Sequence, residues 1–366
     1  MKTKARVIAL YLPQYHPIPE NNEYWGKGFT EWTNVVQARP LFKGHYQPRI
    51  PADLGFYDLR LPEIRAAQAE MARSAGIEGF MYWHYWLGNN RLLLQRPFQE
   101  VLNSCSPDFP FCLGWANHSW TTKTWVKGKN MHRDTMIMEQ LYPGEEDYIN
   151  HFNYVLPAFK DRRYITVDGK PIFTIYDPTA VPDMKNFICL WNSLAQQNGL
   201  KGIHFVGLRY GRKSSMQQLL DMGFDAINNR SMWEAEAASV GSKLKRRLIS
   251  LLSWRMGVAL SKYEYKDIIR NMGNEDDRLE YSYPTILPGY DRTARAGRRA
   301  IIYHNATPEL FQEHVHDVLQ YVKGKENEHK IVFLKSWNEW GEGNYMEPDL
   351  KYGHQFLDAL KIELVE

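Results

Sequence analysis

The sequence is short of cysteine. Its three, Cys105, Cys112 and Cys189, form no C-x-x-C pair and no Cys/His metal spacing. An odd, scattered set excludes a disulfide framework and a zinc module and predicts a chain suited to a reducing, cytoplasmic compartment. Long apolar runs are missing as well. No stretch approaches the ~20 apolar residues that a membrane-spanning helix requires. The start, MKTKARVIALYLPQYHP, has an apolar run broken by Pro13 and Gln14 with no small-residue cleavage site behind it, so it reads as a first strand. Charge of one sign is lacking too: 45 basic against 42 acidic residues leave a net +3, too little for a generic nucleic-acid binder. No Gly-rich turn follows the first strand, which disfavours an open dinucleotide-binding sheet. No H-E-x-x-H or D-x-D stands at a strand end, and Glu275-Asp276-Asp277 lies in a polar stretch. Neither a metal nor a cofactor is predicted.

What is present is an ordinary globular composition, 44% hydrophobic and 24% charged, enriched in aromatics with 12 Trp and 22 Tyr. Short apolar runs recur near Val7 to Leu12, Gly79 to Tyr85, Phe111 to Trp115, Ile172 to Tyr176, Ile203 to Leu208, Asp225 to Asn228, Tyr283 to Leu287 and Ile331 to Leu334. Helical spacing separates them over Leu61 to Ala75, Tyr148 to Phe159, Met184 to Gln197, Met216 to Met222 and Pro308 to Val322. Thr307-Pro308-Glu309 is a cap followed by proline in the first turn. Eight strands alternating with helices predict an α/β fold, a (β/α)8 TIM barrel, as a single domain over residues 1–366.

Such a barrel carries its chemistry at the C-terminal ends of its strands. Strand one ends in Tyr11, Gln14, Tyr15 and His16 and runs into a loop with Trp25, Glu31, Trp32 and Asn34. Strand two ends in Trp83, His84, Tyr85 and Trp86, and strand three in Trp115, Asn117, His118 and Trp120. Tyr176 and Asp177 close strand four, Arg209 and Tyr210 strand five, and Asn228, Asn229 and Arg230 strand six. After strand seven come Tyr290, Asp291 and Arg292. Any one of these groups alone is more often a satisfied structural side chain than a catalyst; their concentration on one barrel face is the signal. Tyr and Trp stack on sugar faces, Asn and Asp hold hydroxyls, and Arg offers a fork to a carboxylate or phosphate.

The strongest signal is the eighth strand, KIVFLKS, which runs into Trp337-Asn338-Glu339-Trp340-Gly341-Glu342-Gly343. Glu339 and Glu342 are three residues apart, Gly341 and Gly343 free the backbone to turn, and Trp337 and Trp340 offer apolar walls. Paired carboxylates in that setting suit glycosidic-bond chemistry, one held as acid and the other as base or nucleophile. Three residues of extended chain reach at most ~10 Å, so the spacing allows either a retaining or an inverting separation.

The motifs YLPQYHPIPENNEYWGKGFTEWTNV, WANHSWTTKTW, LPGYDRTAR and SWNEWGEGNYMEPD resemble, over nearly the whole chain, the WbsX-type proteins of bacterial O-antigen and capsule clusters, often labelled glycosyltransferases. That group is similar in turn to glycoside hydrolase family 99, the endo-acting α-1,2-mannosidases and mannanases built on a (β/α)8 barrel. The resemblance implies that Glu339 assists the substrate 2-hydroxyl in displacing the leaving group through a 1,2-anhydro sugar, and that Glu342 is the general acid/base. Where the resembled third motif reads WANENW, this chain has WANHSW, so His118 replaces an acidic residue, a departure that bears on the sugar or linkage recognised. Hydrolysis and transfer use the same carboxylates, and both stay open, as does a non-catalytic glycan-binding barrel. The expected partner is an oligosaccharide or polysaccharide, not nucleic acid.

Between strands six and seven, residues 236–281 form a predicted helical insertion. Leu244, Leu248, Leu251, Leu252 and Trp254 fall largely on one side of a helix, with Lys245 and Arg246 off it. This basic amphipathic stretch, 243–260, reads either as a lid on the barrel or as a peripheral contact with an anionic inner-membrane surface or a lipid-linked glycan.

Overall fold

A computed structural model of the chain describes residues 2–121, 136–209, 214–240, 247, 248, 251, 252, 255 and 261–366. Eight parallel strands close on themselves: β1 (Arg6–Tyr11), β2 (Gly79–Trp86), β3 (Phe111–Trp115), β4 (Lys170–Ile175), β5 (His204–Arg209), β6 (Ala226–Asn229), β7 (Ser282–Ile286) and β8 (Ile331–Leu334). Each pairs with the next in sequence. The ring shuts where Arg6 to Ala9 of β1 pair with Ile331 to Leu334 of β8. The fold is a (β/α)8 barrel, and its strand positions are those expected from the apolar runs.

These segments are strands because they are buried on both faces. All eight residues of β2 (GFMYWHYW) and all five of β3 (FCLGW) are buried, as a sheet between a packed interior and a layer of helices requires. Alternation then decides which side chain enters the barrel. Leu10 and Leu12 face the mouth, whereas Tyr11 turns to the helix layer and bonds Gln68 at 2.6 Å. Trp83 and Tyr85 face the mouth, and His84 and Trp86 turn outward.

The outer layer contains helices Pro62–Ser74, Arg96–Ser104, Glu145–Phe159, Met184–Gln197, Met216–Asp221, Pro308–Val322 and Gln355–Leu364. Thr307 caps Pro308–Val322 by accepting from Leu310 N, with proline where a free N–H would go unused. Glu145–Phe159 begins three residues earlier than its apolar pattern, because Glu145, Glu146 and Asp147 complement the positive end of the helix.

Above the barrel mouth lies a cap built from two connections. Between β6 and β7 stand helix Met232–Val240, strand Lys262–Glu264, helix Tyr265–Ile269 and the short turn Glu275–Arg278. Lys262–Glu264 joins Ile302–His304 and Tyr290–Asp291, from the β7–β8 connection, in a three-stranded sheet. Ala235, Tyr265, Ile268, Ile269, Met272, Leu287 and Tyr303 form its separate apolar cluster. The segment expected to be helical thus includes a strand, because its partners lie in the next connection. Most of 243–260 lies outside the described residues, although Leu248, Leu251 and Leu252 are exposed. No helix among the described residues is long and apolar enough to cross a membrane.

Candidate active site

The last turn of β8 passes through Lys335 and Ser336, joined by a cis peptide, into a two-stranded ribbon, Asn338–Glu339 paired with Asn344–Tyr345. Trp340–Glu342 forms the tight turn between them, and Gly343 completes it at φ 59°. That positive φ favours glycine, and a Cβ there would also meet Asp291 Cβ at 2.9 Å. Asn338 pins the ribbon to β1: its Oδ1 accepts from Leu12 N at 2.8 Å and its Nδ2 donates to Leu12 O at 3.1 Å. Tyr15 OH donates to Asn338 O at 2.5 Å and accepts from Trp340 N at 3.1 Å.

The turn presents Glu339 and Glu342 to an open cleft of about 960 Å³. Gln14, Trp25, Trp83, Tyr85, His118, Trp120 and Tyr176 line its floor and walls, and Arg230, Arg292, Arg295 and Lys335 add four cationic side chains. The centre is Arg295, on helix Thr293–Ala296 of the cap. Its Nη1 lies 2.9 Å from Glu339 Oε1 and 2.9 Å from Glu342 Oε1. The two carboxylate oxygens are therefore at most twice that distance apart, short of the ~6.5 Å from which inverting pairs begin. On its other edge Arg295 grips Glu31, with Nε to Oε1 at 2.9 Å and Nη2 to Oε2 at 3.2 Å. Glu31 is wholly buried, and a Cβ on Gly341 would overlap its carboxylate. Gly341 therefore makes room for this ion pair.

Burial alone would raise the Glu342 carboxyl, but Lys335, Arg295 and Arg292 outweigh it and hold the group well below the usual carboxylate range. The contacts are short: Lys335 Nζ at 3.2 Å, Arg295 Nη1 at 2.9 Å and Arg292 Nε at 3.5 Å. Burial pushes the Glu31 carboxyl up against the pull of Arg295. Glu347 is pushed up to about 7 by burial, although it accepts from Trp340 Nε1, Gln68 Nε2 and Tyr57 OH. It lies behind the Trp340 ring and does not line the cleft. The three cations around Glu342 favour its ionised form.

Of the residues singled out in the sequence, Gln14, Trp25, Trp83, Tyr85, His118, Trp120, Tyr176, Arg230, Arg292, Glu339 and Glu342 meet in this cleft. Arg209 and Tyr290 line an adjoining cavity of about 710 Å³, which shares Arg230, Arg292 and Lys335 with the cleft. Others are set behind the wall. Tyr15, Trp32, Asn338 and Trp340 support the turn: Trp32 packs on Trp340 with its Nε1 on Tyr57 O, and Trp340 stacks on Tyr345 at 3.7 Å. Asn117 ties two loops together through the Asp177 backbone, and Asp177 accepts from Thr179 Oγ1.

The remaining candidates are corrected by alternation and packing. Tyr11 faces the helix layer. His84 sits 2.9 Å from His151, and Trp115 donates to Trp86 O and packs on Phe187, all outside the barrel. Trp337 is fully buried against Phe80. His16 is buried away from the cleft lining. Asp291 is held inside the cap by His45 at 2.7 Å and Gln47 at 2.8 Å. Among the described residues, no three His, Cys, Asp or Glu side chains are grouped as a metal site requires.

With this geometry in view, the sequence signature of "Glycosyltransferase WbsX" matches residues 7–360. The chain belongs to the WbsX glycosyltransferase family. Two curated relatives, both "Uncharacterized protein WxcX", come from Xanthomonas campestris pv. campestris. The strain B100 protein is 32% identical over 358 residues, covering 98% of this chain and 49% of the relative. The ATCC 33913 protein is 32% identical over 364 residues, with the same coverage. The chain spans about half the length of these relatives. Among solved structures, a "Glycoside hydrolase-like protein" superposes with a TM-score of 0.64 at 16% identity, covering 98% of this chain and 93% of the other. The GH99 endo-alpha-mannosidase from Bacteroides thetaiotaomicron gives 0.58 at 14% identity, covering 97% and 95%. At those identities the likeness is one of fold.

In this WbsX-family chain Lys335 and Arg295 are the cations that the sequence reading left out of the site, whereas Arg230 and Arg292 stand among its strand-end residues. Lys335 looked like the end of an apolar run, and Arg295 closed a motif noted for its tyrosine and aspartate. Two arginines in LPGYDRTAR, next to a carboxylate pair in need of counter-charge, were the available signal.

Proposed function

We propose that the protein is a carbohydrate-active enzyme that breaks or remakes a glycosidic bond of a bacterial surface polysaccharide or its precursor, with Glu339 and Glu342 as its reacting carboxylates. The observation that carries this reading is the glutamate pair bridged by Arg295 in an aromatic-walled cleft at the barrel mouth. Trp83, Trp120 and Tyr176 supply flat apolar faces for sugar rings, and Gln14 and His118 supply polar groups for hydroxyls. The closeness of the two carboxylates favours retention of configuration, since little room is left for a water between them. The family name and the barrel likeness support the same class. Incubation with defined oligosaccharides, with and without sugar nucleotides, followed by mass spectrometry of the products, tests it. Glu339→Gln and Glu342→Gln should each lower turnover by ~10² to 10⁴ with the fold intact. Wild-type turnover in either variant would remove that glutamate from the chemistry, and binding of the oligosaccharides without any product in the wild type would leave a glycan-binding barrel instead.

The exposed Leu248, Leu251 and Leu252 favour a second element of this reading, peripheral contact of the 243–260 stretch with an anionic membrane that carries a lipid-linked glycan. Co-sedimentation with anionic vesicles that weakens with salt is the expected result; equal pelleting with neutral vesicles, or none with either, makes the stretch a lid.

A further inference from the structure

Behind the turn that carries Glu339 and Glu342 lies a third carboxyl, which does not touch the cleft. Glu347 is 3% exposed, and its bonds run to uncharged donors: Gln68 Nε2 at 2.6 Å on Oε1, with Tyr57 OH at 2.9 Å and Trp340 Nε1 at 2.6 Å on Oε2. Among the described residues no lysine, arginine or histidine pairs with it. A carboxylate buried without a counter-ion keeps its charge only where several N–H and O–H groups converge on it.

Two of these three donors lead to the residues on either side of Glu339. Trp340 follows it and is bound directly. Asn338 precedes it and is reached through Tyr57, whose hydroxyl donates to Glu347 and accepts from Asn338 Nδ2 at 3.4 Å. Trp340 is held elsewhere too: its backbone N donates to Tyr15 OH at 3.1 Å, and its ring stacks on Tyr345 and packs on Trp32. The Nε1 bond to Glu347 then sets how deep the indole sits in that slot.

The grip depends on the charge of Glu347. A carboxylate accepts on both oxygens, and its bonds are about twice as strong as those of a neutral acid. A proton on Oε2 would displace Tyr57 or Trp340, and an indole N–H can only donate. A proton on Oε1 would face the Gln68 amide, which would have to turn over although its Oε1 accepts from Tyr11 OH at 2.6 Å. Burial, set against these donors, leaves the group titrating at about 7. The groups around it do not change charge there. Burial holds the hydroxyls of Tyr11, Tyr15 and Tyr57 well above their ordinary range, and Arg65, on the helix of Gln68, is paired with Glu100 at 2.8 Å.

Resting on the carbohydrate-active reading above, we infer that Glu347 is a positioning residue for Glu339: in its ionised form it clamps Trp340 and, through Tyr57, Asn338, and so fixes where the Glu339 carboxylate enters the cleft. Protonation loosens the clamp without touching the substrate. The wall behind the cleft thereby gives turnover an acid limb near neutrality.

Indole N–H NMR spectra of the full chain, with the Trp340 signal assigned through Trp340→Phe, test the clamp without any substrate. The Trp340 signal should move with pH around a midpoint of about 7, and in Glu347→Gln that movement should vanish. Tyr57→Phe removes one donor from the ionised form and should raise the midpoint by about one pH unit or more. On a glycan that the wild type converts, kcat should fall as pH drops through about 7, with KM little changed because Glu347 does not line the cleft. Glu347→Gln should lower kcat by up to ~10² and flatten that acid limb, and Glu347→Asp, which restores a carboxylate, should return part of it. If Glu347→Gln does not fold, the wild-type titration and the Tyr57→Phe shift decide the matter. An acid fall in kcat that survives Glu347→Gln would overturn the inference and point to Glu31, whose carboxyl burial also raises. A Trp340 signal indifferent to pH beside normal turnover would overturn it too and leave the carbohydrate reading standing. The expected titration with no product from any glycan would remove that reading and keep the clamp.

Discussion

Arg295 is the residue on which the site's geometry depends, because among the described residues it alone contacts Glu31, Glu339 and Glu342. Burial works against its charge, but the three carboxylates hold it well above even the ordinary arginine range. Arg295→Gln would leave the buried Glu31 without its counter-ion, a kind of loss that costs ~3–5 kcal/mol. The melting temperature should therefore fall together with turnover, and a double variant that adds Glu31→Gln should regain stability without regaining activity. Equal melts for Arg295→Gln and wild type would show that Glu31 finds its stabilisation elsewhere. The tryptophans divide in the same physical terms. Trp340 is 1% exposed, stacked on Tyr345 and bonded to Glu347, so Trp340→Ala should cost the ~3–5 kcal/mol typical of a buried ring. Trp120 lines the cleft half-buried, so Trp120→Ala should weaken glycan binding with little change in the melt. Paired melts and glycan titrations read both.

Among elements, the turn after β8 has the least tolerance. Gly341→Ala would drive a methyl into the Glu31 carboxylate and shift Arg295 with it; a displacement near 1 Å at reacting groups costs ~10² in rate. Such a loss in kcat with a preserved circular-dichroism spectrum is the expected outcome, and an unimpaired rate would mean that the ion pair moves aside freely. This turn and the eight strands were legible in the sequence because apolar runs and their polar ends are local signals. Which strand-end aromatics enter the mouth was harder to read. β2 is buried on both faces, so nothing in GFMYWHYW marks Trp83 and Tyr85 as inward and His84 and Trp86 as outward until the register is known. The Glu31–Arg295 pair spans 264 positions and joins the first loop to the cap, a contact that no local pattern encodes. The three-stranded cap sheet was missed for the same reason, since its strands come from two different connections.

At the level of the whole molecule, buried uncharged histidines set the response to acid. Burial lowers His84 to about 3 and His16, His204 and His314 to about 4, with His151 held low as well. The unfolded chain takes up protons on these rings as pH falls through ~6.5 while the folded chain does not, so stability drops below that pH. Each contributes on the order of 1 kcal/mol per pH unit until its folded pKa is reached. The melting temperature should therefore fall steeply between pH 6.5 and about 4. His314, whose Nε2 has no hydrogen-bond partner among the described residues, gives the cleanest check: His314→Leu should flatten that slope, and an unchanged slope would assign the acid response elsewhere. The division between barrel and cap has a consequence of another kind. The carboxylates hang from β8, while Arg292 and Arg295 arrive on the cap, so the proposed reacting groups and much of the charge around them belong to separable pieces of chain. A lineage could therefore re-address the same reaction to a new substrate by exchanging one surface excursion, and a chimera that transplants the cap between two such barrels would move substrate preference with it.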